Sequence, residues 1–264
     1  MSKTIFVTTL IVILVAFCSL AYAAVPITLT DFLGPNSVVN IDAYTQAGVY
    51  EWLVDGVNHI NQNSYWFRIG DGDITPITAL GTPTIIPTLD MMCDVLYSGD
   101  MLDVQISYML MGAAEGSGQS DIGQIVSITN KSGEILDLHW YEYLNLDLNG
   151  ISSGQTGDLS DSTLTQTLGA TQSMLSLLTV PDLVEVGDAA TLLGKLNSNG
   201  TFVDNAYYEG DVAGVFQWNV LLDDSWMMSQ DNALFGGAAV PEPSSLLALA
   251  GFAGLVPLMR RRSA

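Results

Sequence analysis

Oxygen-bearing side chains alternate along the short segment 145–150. Its first, third and fifth positions are Asn145, Asp147 and Asn149, and its sixth is a glycine. Alternating amide and carboxylate oxygens followed by a glycine turn are typical of the first half of a calcium-binding loop. The second half departs from that pattern, because Thr156 occupies the position where a bidentate glutamate would close the site. The segment therefore predicts either a calcium ion held by these three side chains or a polar turn that ends a strand.

A second group of residues combines aromatic rings with a basic side chain: Trp66, Arg68, Trp140 and Tyr141. Exposed aromatic rings can stack on sugar rings, and an arginine guanidinium can form two parallel hydrogen bonds with a carboxylate. These four residues are therefore candidates for binding a carbohydrate or a ligand carboxylate. Each also has a structural interpretation, since aromatic residues on alternating strands commonly fill the core, and Arg68 could pair with a carboxylate of the chain itself.

Other catalytic and metal chemistry has little support in the sequence. His59 and His139 stand far apart, and neither belongs to a spacing that is typical of zinc ligands. The chain has no Gly-x-Ser-x-Gly motif and no phosphate-binding loop. Cys93 is the one cysteine of the central body, and a buried thiol is the simplest prediction for it. The sequence thus predicts a protein that is not an enzyme, with hydrolysis by paired carboxylates as an alternative.

The central body of the chain is strongly acidic. Between residues 24 and 239 lie 27 acidic side chains and only three basic ones, Arg68, Lys131 and Lys195, which gives a net charge of −24. Such a field repels nucleic acids and anionic lipid headgroups, so neither is expected as a partner. It attracts divalent cations, although solubility alone also accounts for an acidic surface.

Apolar residues recur at every second position in several segments, which predicts half-buried β-strands. Turn residues punctuate the chain at short intervals, and no βα alternation is present. We expect an antiparallel β-sandwich, with the turn at 130–133 joining two strands as a hairpin. The predicted strands lie at 48–54, 65–69, 101–111, 122–130, 135–144 and 216–222, and the segment 163–180 is expected to hold two more.

One short helix is predicted at residues 188–196. Asp188 is a favourable N-cap, and Leu192, Leu193 and Leu196 lie on one side of the helix. The sequence therefore predicts an all-β body over 24–236 with a single short helix.

Both ends of the chain have the composition of targeting segments. Lys3 precedes an apolar run at 5–20, and Ala21-Tyr22-Ala23 fits a small-x-small cleavage pattern, which predicts a signal peptide over 1–23. At the other end, the linker and motif of 237–243 precede 16 uncharged residues at 244–259. As a helix these would span roughly 24 Å and form a transmembrane anchor, with a basic cytoplasmic tail at 260–264.

This C-terminal end resembles the PEP-CTERM sorting signal of Gram-negative bacteria. The resemblance implies processing by an exosortase in a host that makes exopolysaccharide. It also implies that the chain is exported, anchored in the inner membrane before processing, and then placed in the cell envelope or extracellular matrix. The matching residues are Val240, Pro241, Glu242, Pro243, Arg260, Arg261 and Arg262.

The body resembles, more loosely, an uncharacterised secreted domain that occurs ahead of such tails. The similar stretches lie at 48–52, 66–70, 136–150 and 215–218, and that family implies no activity. We therefore expect an exported envelope or matrix protein with a structural or adhesive role. The first alternative is a calcium-dependent carbohydrate-binding module whose partner is extracellular polysaccharide, and the second is a polysaccharide hydrolase.

Overall fold

The computed structural model of the chain describes residues 25–30 and 36–236. The predicted signal peptide, linker, sorting motif, membrane anchor and basic tail all lie outside these residues. Among the described residues, no helix combines the length and the apolar character needed to cross a bilayer. These residues form two nine-stranded β-sheets and one α-helix.

Sheet A has three long strands at its centre and shorter strands towards its edges. Its neighbours are antiparallel, except where Gly48 and Val49 pair in parallel with Asn63. In spatial order its strands are β1 (Ile27–Thr30), β2 (Ser37–Asp42), β3 (Gly48–Val54), β5 (Gln62–Ile69), β11 (Leu136–Asn145), β17 (Val212–Leu222) and β15 (Leu183–Asp188), with β4 (Val57–Asn58) beside β3 and β6 (Thr75–Pro76) beside β5.

Sheet B is antiparallel throughout. Two short 3-10 helices, Ile77–Leu80 and Leu148–Gly150, lie in loops of the fold. In spatial order the strands of sheet B are β16 (Tyr207–Gly210), β12 (Gln155–Ser160), β13 (Thr163–Leu168), β14 (Thr171–Leu177), β18 (Ser225–Gly236), β10 (Gln119–Asn130), β9 (Leu102–Gly112), β8 (Met92–Ser98) and β7 (Thr84–Leu89).

The two sheets pack face to face and enclose the main hydrophobic core. Trp52 and Trp140 from sheet A and Ile106 from sheet B are all fully buried in it. The indole N–H of Trp52 donates a hydrogen bond to Ser120 Oγ of the opposite sheet at 3.0 Å. The prediction of a β-sandwich is therefore confirmed for the described residues, apart from the short parallel pair in sheet A.

Every strand predicted from the sequence is present in the structure. The alternation at 101–111 forms β9, in which Leu102, Val104 and Ile106 point into the core and the residues between them do not. The segment 163–180 holds the two expected strands, β13 and β14. Alternation of burial identifies these strands because each of them exposes one face more than the other.

The hairpin predicted at 130–133 is wrong. The strands on either side of this turn belong to different sheets, since β10 pairs with β9 and β18 whereas β11 pairs with β5 and β17. The Asn130 amide donates to the carbonyls of Glu134, Leu222 and Asp223, which holds the turn across the end of the sandwich. Turn-forming residues mark a change of direction but do not specify whether the chain returns within one sheet.

The predicted helix is confirmed as α1 (Ala189–Asn197). Asp188 is its N-cap and accepts a hydrogen bond from the backbone N–H of Thr191 at 2.9 Å. Leu192 and Leu196 are buried, and Leu193 packs against the same apolar cluster. The helix thereby covers part of the face of sheet A that points away from sheet B.

Candidate ligand-binding face

The face of sheet A that points away from sheet B is hereafter called the outer face. Along β11 the inward residues include Leu138 and Trp140, whereas His139, Tyr141 and Tyr143 lie on the outer face, as the sequence alternation predicts. One part of this face is covered, a second part is open and polar, and a third part at the strand ends is acidic.

The covered part contains two of the four residues predicted to bind a ligand. Trp66 and Tyr141 lie beneath helix α1 and Phe202, and both are buried. The ring of Trp140 is buried on the opposite face, where it stacks on Tyr65 with 5.4 Å between ring centroids. None of these three predicted rings presents a face to solvent, because helix α1 and the second sheet cover them. Their contribution in this structure is packing rather than stacking on a sugar.

The open part is defined by Arg68, His139, Gln217 and Asn219, hereafter the polar patch. Arg68, His139 and Asn219 form one row across β5, β11 and β17, because His139 pairs with Arg68 on one side and with Asn219 on the other. His139 Nδ1 hydrogen-bonds to Asn219 Oδ1 at 2.5 Å, and the Gln217 amide donates to the same oxygen at 2.7 Å. This arrangement leaves the Asn219 amide N–H groups exposed at the edge of the row.

Arg68 is the unpaired base of the polar patch. Within the described residues it forms no ion pair, whereas Lys131 pairs with Asp103 and Lys195 pairs with Glu185. Its Nε atom is buried and has no hydrogen-bond partner in the described part of the chain. A carboxylate partner within the protein, one of the two sequence interpretations, is therefore not present among these residues. The Arg68 side chain as a whole is partly exposed.

The acidic part of the outer face lies where β11 ends and β17 begins. Asn145 and Asp147 are on this part, and Asp211 comes directly before β17. Asn149, the third predicted calcium ligand, is turned away and exchanges hydrogen bonds with Thr171 at 2.9 and 3.1 Å. The structure thus brings together two of the three predicted ligands, and it adds an aspartate from another strand that the local motif could not reveal.

A buried carboxyl group, missed in the sequence analysis, lies between the sheets. Glu142 is fully buried, and its Oε1 accepts hydrogen bonds from the amides of Asn63 and Gln230. Burial raises the pKa of Glu142 from 4.5 to about 7, although those two hydrogen bonds act in the opposite direction. The signal was present in the sequence, because Glu142 occupies the same alternation as Trp140 and Leu144.

A shallow depression of about 300 Å³ opens at another site on the surface. Phe67 and Leu80 form part of its wall, and the loop containing Ser98 and Gly99 forms another part. The Lys131 ammonium group donates to Ser98 Oγ and to the Gly99 carbonyl oxygen, so this lysine contacts two of the lining residues. It is a second place where a small ligand would fit.

No protein-family model matches the chain, and no curated protein matches its sequence. Solved structures nevertheless share its fold. A bacterial glucoamylase in complex with acarbose aligns with 81% of this chain at a TM-score of 0.60 and 11% identity. A heparan sulfate lyase, HepC from Pedobacter heparinus, aligns with 83% at 0.53 and 13% identity.

A third similar structure is an aldose 1-epimerase candidate from Escherichia coli K12. It aligns with 80% of this chain at a TM-score of 0.50 and 10% identity, and the alignment covers 98% of its own length. The chain spans about a third of the glucoamylase and of the lyase, at 32% and 36% of their lengths. At these identities the similarity establishes a shared β-sandwich fold.

Proposed function

We propose that the chain is an exported adhesive protein that binds extracellular polysaccharide through the polar patch. The single observation that carries this proposal is the guanidinium of Arg68, which has no acidic partner among the described residues of a strongly acidic body. It lies in one row with His139 and Asn219 on an open strand face. The donors at the two ends of this row, on Arg68 and Asn219, match the closely spaced hydroxyl and carboxyl oxygens of a glycan.

The donors that the polar patch offers to a glycan follow from the hydrogen bonds that its side chains already form. The Arg68 guanidinium offers N–H donors in a planar fork. The Asn219 oxygen is already occupied by His139 and Gln217, so its amide N–H groups remain as donors. Flat strands hold these donors at a fixed spacing, which favours recognition of a rigid sugar ring with little loss of side-chain freedom.

The names of the three similar structures agree with this proposal. They are a glucoamylase, a heparan sulfate lyase and an aldose 1-epimerase candidate, and each of these names refers to a carbohydrate. A sandwich of this kind recurs in proteins that handle sugars, and a binding function needs only a complementary surface. For the present chain the polar patch supplies that surface.

Export and sorting form the second half of the proposal. We infer secretion through the signal peptide of residues 1–23 and processing by an exosortase-type enzyme at the motif Val240-Pro241-Glu242-Pro243. The test is mass spectrometry of the protein recovered from the host matrix. An intact C-terminus that still carries Arg260, Arg261 and Arg262 would contradict processing.

The binding half is tested by co-sedimentation of the purified full chain, in mild detergent, with the host's own extracellular polysaccharide. The Arg68→Ala variant should lose most of the binding. Lys131→Ala removes the same amount of charge at the depression, and it should retain binding. Thermal melting of both variants establishes that neither substitution has unfolded the protein.

Three other outcomes would redirect the proposal. Loss of binding in Lys131→Ala with Arg68→Ala unaffected would move the ligand to the depression. Release of reducing sugar from the polysaccharide would indicate a hydrolase. Absence of binding by the wild-type chain would leave a structural envelope component without a glycan ligand.

A further inference from the structure

The acidic part of the outer face is organised by strand register. Asn145 pairs with Ala213, the last pair recorded between β11 and β17. Continuing that register by two residues places Asp147 opposite Asp211. The backbone N–H of Ala189 donates to the Asp211 carbonyl at 3.0 Å, which holds the start of β17 against the first residue of helix α1.

Three side-chain oxygens at this point are buried without a hydrogen-bond partner in the described residues: Asn145 Oδ1, Asp147 Oδ1 and Asp211 Oδ1. Asn145 itself is only 6% exposed. Its side chain is hydrogen-bonded to the hydroxyl of Tyr143, which in turn donates to the Ala189 carbonyl at 3.1 Å. An amide group donates through its nitrogen, so Asn145 keeps Oδ1 as an unused acceptor. It lies beside Tyr143, whose charged neighbours include Asp211 and Asp147. A buried acceptor without a donor destabilises the folded state, and the effect is larger for a charged group.

Positive charge is absent from the described surroundings of these oxygens. Asp147 Oδ2 accepts a hydrogen bond from the Asn61 amide at 3.2 Å, which is a neutral donor. Lys195 Nζ forms an ion pair with Glu185 Oε1 at 2.6 Å, so it does not neutralise these oxygens. The charged neighbours of Asp211 are Asp147 and Asp188, which are also acidic. The group therefore carries uncompensated negative charge in a partly dry location.

We infer that Asn145, Asp147 and Asp211 bind a divalent cation of the calcium type. One amide and two carboxylate oxygens form a hard donor set, which suits calcium or magnesium rather than zinc or copper. Calcium tolerates irregular geometry and completes its shell with water and carbonyl oxygens. Asp188 is not included as a ligand, because its Oδ1 caps helix α1 through Thr191.

This donor set differs from a cluster of acidic or imidazole ligands. Within residues 25–30 and 36–236, no group of three or more His, Cys, Asp or Glu side chains is arranged to hold a metal ion. The inferred site has only two carboxylates, and its third ligand is the buried amide oxygen of Asn145. It also differs from the local loop of the sequence motif, because Asp211 replaces Asn149.

The test compares the wild-type full chain with Asp211→Asn and Asp158→Asn in chelator, in calcium and in magnesium. Asp158 is an exposed acid on β12 and serves as the charge-matched control. Calcium should raise the melting temperature of the wild type and of Asp158→Asn. Asp211→Asn should melt higher than the wild type in chelator, because repulsion is relieved, and should lose the calcium-dependent rise.

Terbium luminescence excited through tyrosine supplies a measurement that does not depend on stability. Tyr143 lies beside the inferred site, so bound terbium should be sensitised, and calcium should displace it. In Asp211→Asn the affinity for the ion should fall by at least about tenfold. Equal calcium responses in wild type and Asp211→Asn, or no response in the wild type, would overturn the inference. Arg68→Ala should leave the ion affinity unchanged, so failure of glycan binding and failure of ion binding are distinguishable.

Discussion

Glu142 of sheet A accepts a hydrogen bond from the amide of Gln230 of sheet B, across the middle of the sandwich. The remaining oxygens of this pair, Glu142 Oε2 and Gln230 Oε1, are both buried and both lack a donor among the described residues. A proton on Glu142 Oε2 would supply that donor. A carboxylic acid and an amide then complement each other, whereas a carboxylate leaves the amide oxygen unsatisfied.

Stability should fall as Glu142 ionises. Its folded-state pKa of about 7 lies above the ordinary value of 4.5, so the stabilising contribution is fully present below pH 4.5 and is lost as pH rises through 7. The difference between the two pKa values corresponds to roughly 3 kcal/mol. Urea unfolding of wild type and Glu142→Gln between pH 4 and 8 measures the effect. The variant should gain stability relative to the wild type across this window, and a constant difference would contradict the prediction.

His59 should have the opposite effect on the pH dependence of stability. Burial lowers the pKa of His59 from 6.5 to about 4, and its Nδ1 accepts the backbone N–H of Asn149 at 3.2 Å. Its contribution is present above pH 6.5 and is lost as pH falls through 4. His59→Asn keeps an acceptor but cannot ionise, so its stability should fall less on acidification. Unfolding curves of His59→Asn at pH 4 and pH 7 test this, with the wild type as reference.

Gly48 should tolerate alanine far less than Gly56. Both have a left-handed backbone, with φ of 60° and 80° respectively. A Cβ at Gly48 would lie 2.1 Å from the Asn63 carbonyl oxygen, whereas a Cβ at Gly56 would meet nothing within 4 Å. Gly56→Ala should therefore cost about 1–2 kcal/mol from backbone strain alone. Gly48→Ala should cost clearly more in thermal unfolding, and equal costs would show that β3 and β5 can separate without penalty.

Cys93 should be unreactive in the folded protein. The thiol is buried, and burial, with a smaller effect from Asp94, raises its pKa to about 12. The thiolate is the reactive form, so little of it exists at neutral pH. Iodoacetamide treatment followed by peptide mapping should leave Cys93 unmodified in buffer and modified in denaturant. Mapping by peptide separates this thiol from Cys18. Rapid labelling in buffer would indicate local opening of β8.

Local periodicity predicted the strands and the helix, because each of these elements buries one face. Apolar residues therefore recur at every second position in a strand and at every third or fourth position in the helix. Helix α1 was also marked by its cap at Asp188. The assignment of strands to sheets was not predictable in the same way. The turn at 130–133 has the composition of a hairpin turn, yet the strand that follows it, β11, pairs with β5 and β17 at separations of about 70 to 85 residues.

The candidate site depends on the same non-local information. Arg68, His139 and Asn219 are widely separated in sequence and form a row only through the pairing of β5, β11 and β17. Trp66 and Tyr141 look like ligand-binding aromatics from their composition, but helix α1 and Phe202 cover them. Asp211 stands outside any motif and becomes relevant only because register places it near Asp147.

The turn at 130–133 also has a consequence for how the chain folds. Asn130 donates hydrogen bonds to the carbonyls of Leu222 and Asp223, so these two bonds of the crossing between β10 and β11 form only once the end of β17 is in place. Such pairings over long sequence separations slow folding, because chain entropy is lost before the contacts form. A chain that stays unfolded for longer can pass through a membrane as an extended thread. Late formation of these contacts would therefore be compatible with the proposed export.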